Sequence, residues 1–132
     1  MRYALDTNTL IYFFKGHGQV ARNLLATAPA DVNIPAVVVH EIETGIAKST
    51  DPDKRTRQLA EILDAVTVLP FDVDSARRAA RLRARLERQG TPIGPMDTLI
   101  AGTALAHNAT LVTHNTTAFQ RIPELQITDW IE

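Results

Sequence analysis

Short runs of Val, Ile, Leu and Ala alternate along this chain with longer stretches whose apolar positions recur every three or four residues. The first pattern suits strands and the second suits helices. Tyr3-Ala4-Leu5 is predicted to be a short strand, and Thr7 to Phe14 the helix that follows. Asn33-Ile34-Pro35 reads as a strand ending near the proline, which lacks the N–H that a central ladder needs. Val37-Val38-Val39-His40-Glu41-Ile42-Glu43 then continues as a helix carrying Glu41. Asp51-Pro52-Asp53 is a helix-start signal ahead of Lys54 to about Asp64, and Val66 to Leu69 reads as a second buried strand closed by Pro70.

The longest helical pattern runs from Asp74 to Gln89, with Ala76, Ala79, Ala80, Leu82 and Leu86 as its apolar stripe and Gly90 as its stop. Thr91-Pro92-Ile93-Gly94-Pro95 is a turn-forming linker into Asp97, which opens a helix over Thr98 to His107. Thr110 to Thr113 is a third buried strand, and Leu125 to Trp130 contains a last short one. Strands alternating with helices of this length predict βαβ units: an α/β fold with a mainly parallel sheet and helices on both faces.

Length and composition narrow the class. At 132 residues the chain has room for one domain, residues 1–132, and 45% hydrophobic against 22% charged residues is globular rather than disordered. A formal charge of -1 argues against a general polyanion binder. The six arginines between Arg77 and Arg88 are the one charge concentration, and a solvated helix face is their default reading. The absence of cysteine excludes thiol nucleophiles and thiolate metal sites. Asp6 falls where a signal peptide needs its apolar run, and the longest apolar stretches fall short of the ~18 residues of a membrane span. The expectation is a cytoplasmic protein with no membrane association.

Candidate chemistry lies where parallel strands end, because functional groups of open α/β sheets collect at the carboxyl edge. Asp6 follows the first strand, Glu41 lies on the helix after the Pro35 strand, Asp97 opens a helix, and Asn115 follows the Thr110–Thr113 strand. Each also has a plain reading. Asp6 and Asp97 suit helix N-caps, Glu41 is no more acidic than its neighbour Glu43, and Asn115 suits a turn. Convergence of the acids would be costly, since two carboxylates ~4 Å apart repel by roughly 4 kcal/mol at an effective dielectric of ~20. Such a cluster either raises its pKa values or recruits a cation. All-oxygen donors favour Mg²⁺ or Mn²⁺, and a hard cation suits phosphodiester hydrolysis.

These residues stand in a familiar order. Leu5-Asp6-Thr7-Asn8-Thr9-Leu10-Ile11, Glu41-Ile42-Glu43-Thr44-Gly45, Pro92-Ile93-Gly94-Pro95-Met96-Asp97-Thr98-Leu99-Ile100-Ala101 and Leu111-Val112-Thr113-His114-Asn115-Thr116-Thr117-Ala118-Phe119 resemble the four motifs of PIN-domain ribonucleases. Within these the chain is similar to the VapC toxins of type II toxin–antitoxin pairs, over essentially its whole length. The resemblance implies a PIN-like three-layer sandwich and catalytic positions at Asp6, Glu41, Asp97 and Asn115. Asp6, Glu41 and Asp97 would ligate Mg²⁺, with Mn²⁺ as an alternative, and the hydroxyls of Thr7 and Thr113 would support them. It further implies an RNA substrate, a homodimer, and a small VapB-type antitoxin that carries the pair to operator DNA. Arg88 to Pro95 most resembles the branch that cuts initiator tRNA, so tRNA is the expected substrate. There is one departure: Ala118 occupies a position that is often acidic in VapC proteins. A catalytically weakened PIN-like module that binds RNA or an antitoxin is therefore the alternative reading. A phosphoacceptor signalling domain would need a lysine near the last strands, and none follows Lys54. His17, His40, His107 and His114 have no metal-ligand spacing; His114 reads as turn-exposed and Trp130 as a packing residue.

Overall fold

A computed structural model describes residues 1–132. Five short strands, β1 (Tyr3–Leu5), β2 (Val32–Pro35), β3 (Thr67–Leu69), β4 (Thr110–Val112) and β5 (Ile127–Thr128), form one sheet in the order β3-β2-β1-β4-β5. All four pairings are parallel. The helices are α1 (Thr7–Lys15), α2 (Val20–Leu25), α3 (Ala36–Lys48), α4 (Asp53–Ala65), α5 (Val73–Arg88), α6 (Pro95–Ala106) and α7 (Thr116–Phe119). The chain leaves β1 towards β2 and β3, then crosses to β4 on the other side of β1. The order therefore reverses between β1 and β4, and in open α/β sheets the carboxyl ends at such a reversal are where ligands bind.

Consecutive strand residues point to opposite faces, so burial of both neighbours shows that both faces are covered. Ala4 and Leu5 on β1, and Leu111 and Val112 on β4, are all fully buried. They join Leu10, Ile34, Val38, Ile100, Phe119 and Ile122 in the hydrophobic core. On β2 the buried Asn33 amide donates to Tyr3 O at 3.1 Å and Asp31 O at 3.2 Å, which satisfies its polar group inside the sheet. Pro35 ends β2 and leads directly into α3, as its missing N–H predicts.

The expected α/β architecture with a parallel sheet holds, with four local corrections. β3 is an edge strand rather than a buried one: Leu69 alone is buried, and Val68 is 39% exposed. α2 has no counterpart among the elements that the sequence predicts. α6 begins at Pro95, so Asp97 lies inside its first turn instead of opening it. On α5 the buried positions are Ser75, Ala79, Leu82 and Leu86, while Ala76 and Ala80 face solvent. Gly90 does follow α5, with φ +71°, a conformation that favours glycine. Trp130 packs as expected, buried with its ring 5.3 Å from that of Tyr3. No helix is long and apolar enough to cross a membrane.

Candidate active site

Asp6 leaves β1 at the order reversal. Its backbone N–H donates to Val112 O at 3.1 Å, extending the β1–β4 ladder by one residue. The chain then turns into α1, and Asp6 is indeed its N-cap, with Oδ1 accepting from the Thr9 N–H at 2.9 Å. Capping does not exhaust the group, because a carboxylate has a second oxygen and several lone pairs. Thr9 pins the turn further by donating its hydroxyl to Val112 O at 3.1 Å. Asp6 is 4% exposed, a severe setting for a charged side chain.

Glu41 lies in the second turn of α3 and is half-buried, whereas Glu43 is exposed. Helix phase separates them: two residues along a helix is a rotation of about 200°. The Thr7 hydroxyl donates to Glu41 Oε1 at 2.6 Å, joining the starts of α1 and α3. Asp97 is the third residue of α6, after Pro95 at the first helical position. Gly94 occupies the cap and supplies no side-chain bond, so Asp97 is not an N-cap. Asn115 heads α7 without a side-chain capping bond; its N–H donates to the buried Thr113 hydroxyl at 2.9 Å, and its amide is exposed.

The three acids feel one another. Burial pushes the Asp6 carboxyl above the usual carboxylate range; the Thr113 hydroxyl and the Thr9 N–H oppose this, and the Glu41 charge adds to it. Burial also raises Asp97, and the charges of Asp6 and then Glu41 raise it further. None of the ion pairs in the molecule involves Asp6, Glu41 or Asp97. The molecule thus holds mutually repelling acids with no direct ion pair to any of them, and their donors are all oxygen. That donor set fits a hard divalent cation. No three acidic or histidine side chains are closed around a common point as they stand, and the Glu41 carboxylate is instead tied to Thr7.

Other candidates take plainer places. His114 is half-exposed, yet it has a partner the sequence did not reveal: its Nδ1 lies 2.7 Å from Asp129 Oδ2. On α5, Arg78 pairs with Asp74, Arg83 with Glu87 and Arg85 with Glu124, so half of the arginine cluster is already neutralised. Ala118 lies partly buried on α7.

Residues 3–125 match the PIN domain family model. The chain is 32% identical over 130 residues to the tRNA(fMet)-specific endonuclease VapC of Salmonella typhimurium, covering 98% of each chain. It is 34% identical over 132 residues to ribonuclease VapC2 of Rickettsia felis, again covering 98% of each. The crystal structure of VapBC2 from Rickettsia felis bound to a DNA fragment from its promoter superposes with a TM-score of 0.91 at 34% identity, over 98% of this chain and 99% of that one. With its parallel sheet, its acids at the strand-order reversal and this full-length similarity, the chain belongs to the PIN-domain family, within its VapC ribonuclease branch.

Proposed function

We propose that this protein is a Mg²⁺-dependent endoribonuclease toxin that hydrolyses phosphodiesters in tRNA and is restrained by a VapB-type antitoxin. The observation that carries the reading is the group formed by Asp6, Glu41 and Asp97, coupled by charge and without a cationic partner. Support for the substrate comes from the Salmonella relative, a tRNA(fMet)-specific endonuclease. Support for the partner comes from the Rickettsia neighbour, a VapBC complex on promoter DNA. By the same likeness the protein acts as a homodimer and reaches operator DNA only through its antitoxin. Its place of action is the cytoplasm.

Asp6, Glu41 and Asp97 would hold Mg²⁺, with Mn²⁺ as the natural substitute. A bound cation there supplies neutralisation of phosphate charge and a lowered pKa for a water. Thr7 holds the Glu41 carboxylate in one orientation, and Thr113 fixes the backbone from which the Asn115 amide projects. That amide has both a donor and an acceptor free to orient the attacking water. Water adds to phosphorus, the bridging P–O bond breaks, and the departing ribose oxygen leaves as a hydroxyl.

Incubating purified, antitoxin-free protein with total tRNA and Mg²⁺, followed by mapping of fragment ends, tests this reading. A small set of discrete ends within one tRNA class is expected. A folded protein that leaves every tRNA intact would contradict the substrate assignment.

Ala118 favours the second reading, a weakened site that binds without efficient cleavage, because a carboxylate is missing there. Restoring it separates the two. Ala118→Glu is expected to tighten Mg²⁺ binding by roughly tenfold, the scale on which groups around a metal act. Mg²⁺ affinity unchanged by the substitution would show that residue 118 does not face the cation.

A further inference from the structure

A groove of about 500 Å³ runs beside the acidic site, between α1, α3 and α4. Glu41 lies in its wall, so the groove reaches one of the three acids. Lys15, Lys54 and Arg55 also line it, together with Asp51. None of these three cations takes part in any ion pair of the molecule. The Arg55 guanidinium lies over the Phe14 ring, 4.9 Å from its centroid. Its Nη1 is sealed from solvent and has no hydrogen-bond acceptor. Buried donors of charged groups are normally paired, so this guanidinium is not fully satisfied within the molecule. The wall beneath is fixed, because Gln58 Nε2 donates to Phe14 O at 3.0 Å and ties α4 to α1.

We propose that Lys15, Lys54 and Arg55 form a seat for the backbone phosphates of RNA next to the cleaved bond. The proposal rests on the ribonuclease reading above. An RNA strand cleaved at Asp6, Glu41 and Asp97 must pass Glu41, and the groove that contains Glu41 receives the neighbouring phosphates. The guanidinium lines the groove, and its planar set of donors is of the kind suited to phosphate oxygens. The cations hold the strand and carry no part of the bond-breaking step. Aromatics make up only 5% of the chain, so backbone contacts of this kind, rather than base stacking, carry the grip.

The test is binding of a short fluorescein-labelled oligoribonucleotide of mixed sequence in EDTA, followed by anisotropy over a range of salt. Lys15→Gln, Lys54→Gln and Arg55→Gln are each compared with wild type and with Arg81→Gln on α5, which does not line the groove. Each groove variant is expected to bind roughly three- to tenfold more weakly, with the slope of log affinity against log salt falling by about 0.7. In cleavage assays on tRNA the same variants are expected to raise KM and leave kcat unchanged. Lys15 and Lys54 are exposed, so their variants keep the test independent of any folding defect at Arg55. Salt slopes equal to wild type in all three overturn the proposal. Variants that bind RNA normally but lose the antitoxin also overturn it, assigning the groove to protein. Wild-type protein that neither binds nor cleaves RNA refutes the ribonuclease reading itself, whereas wild type that does both with unaffected variants refutes the seat alone.

Discussion

Asp97→Asn is expected to lower ribonuclease activity by a factor of about 10³ while making the metal-free fold more stable. Removing one preorganised electrostatic element from a transition state costs about 10²–10³ in rate, and here the lost charge would also weaken the cation. The opposite sign for stability follows from the same repulsion. Burial and the charges of Asp6 and Glu41 raise the Asp97 carboxyl, and burial raises that of Asp6. A carboxyl whose pKa is raised by folding adds stability in its protonated form. That contribution is complete below about pH 4, the unfolded value, and is lost as pH rises through the raised folded values. The melting temperature of the metal-free protein should therefore fall with rising pH above about 4 through this pair. Asn at position 97 keeps the shape and removes the charge, so the fall should be shallower in the variant. Mg²⁺ should raise the melting temperature of wild type more than that of the variant. An inactive variant that is also strongly destabilised would mean that Asp97 serves the fold, not the chemistry.

Gly102→Ala is expected to destabilise the protein by about 1–3 kcal/mol, the scale of overpacking in a dense interior. In a free helix this change is favourable by about 1 kcal/mol, because alanine restricts the unfolded backbone. Here α6 crosses α5 with almost no gap. A Cβ at Gly102 would stand 2.7 Å from both the Cβ and the backbone N of Ala79, and 2.9 Å from its Cα. Backbone cannot rotate away as a side chain can, so α5 must shift bodily. Urea denaturation would show a lower midpoint with an unchanged m-value. A raised midpoint would mean that the two helices are not in such close contact. Because α6 also carries Asp97, the destabilised variant should lose some activity as well.

The parts of the fold that were legible in the sequence are those where one physical demand acts alone. Tyr3–Leu5 and Thr110–Val112 are central strands covered on both faces, and their continuous apolar runs announce this. Val66–Leu69 looks the same in sequence, yet it forms the sheet edge; apolar residues in a row cannot by themselves distinguish centre from edge. α2 leaves no clear signal because six residues with only Val20 and Leu24 buried give barely one period of pattern. The start of α6 is hidden because Thr91–Pro95 resembles a loop, although proline at a first helical position is itself a start signal.

At the site, sequence supplied the residue types and the fold supplied the discrimination. Asp6 proved to be both an N-cap and a member of the acidic group. Glu41 and Glu43 are indistinguishable as letters but face different environments, and the Thr7 hydroxyl singles out Glu41. Asp97 has no capping role because α6 starts two residues earlier, at Pro95. Arg55 carried no signal at all in sequence, since the groove it lines is assembled from three separated helices. The His114–Asp129 pair was equally invisible, because it joins the ends of two adjacent strands.

The central claim is that Asp6, Glu41 and Asp97 act together as the seat of a divalent cation. Calorimetric titration of Mg²⁺ into the wild-type protein and into Asp6→Asn, Glu41→Gln and Asp97→Asn addresses it without any RNA. Saturable binding by wild type is predicted, weakened at least about tenfold in each of the three variants, since every ligand charge lost weakens a hard-cation site. Wild type that binds no Mg²⁺, or variants that bind it as wild type does, would contradict the account.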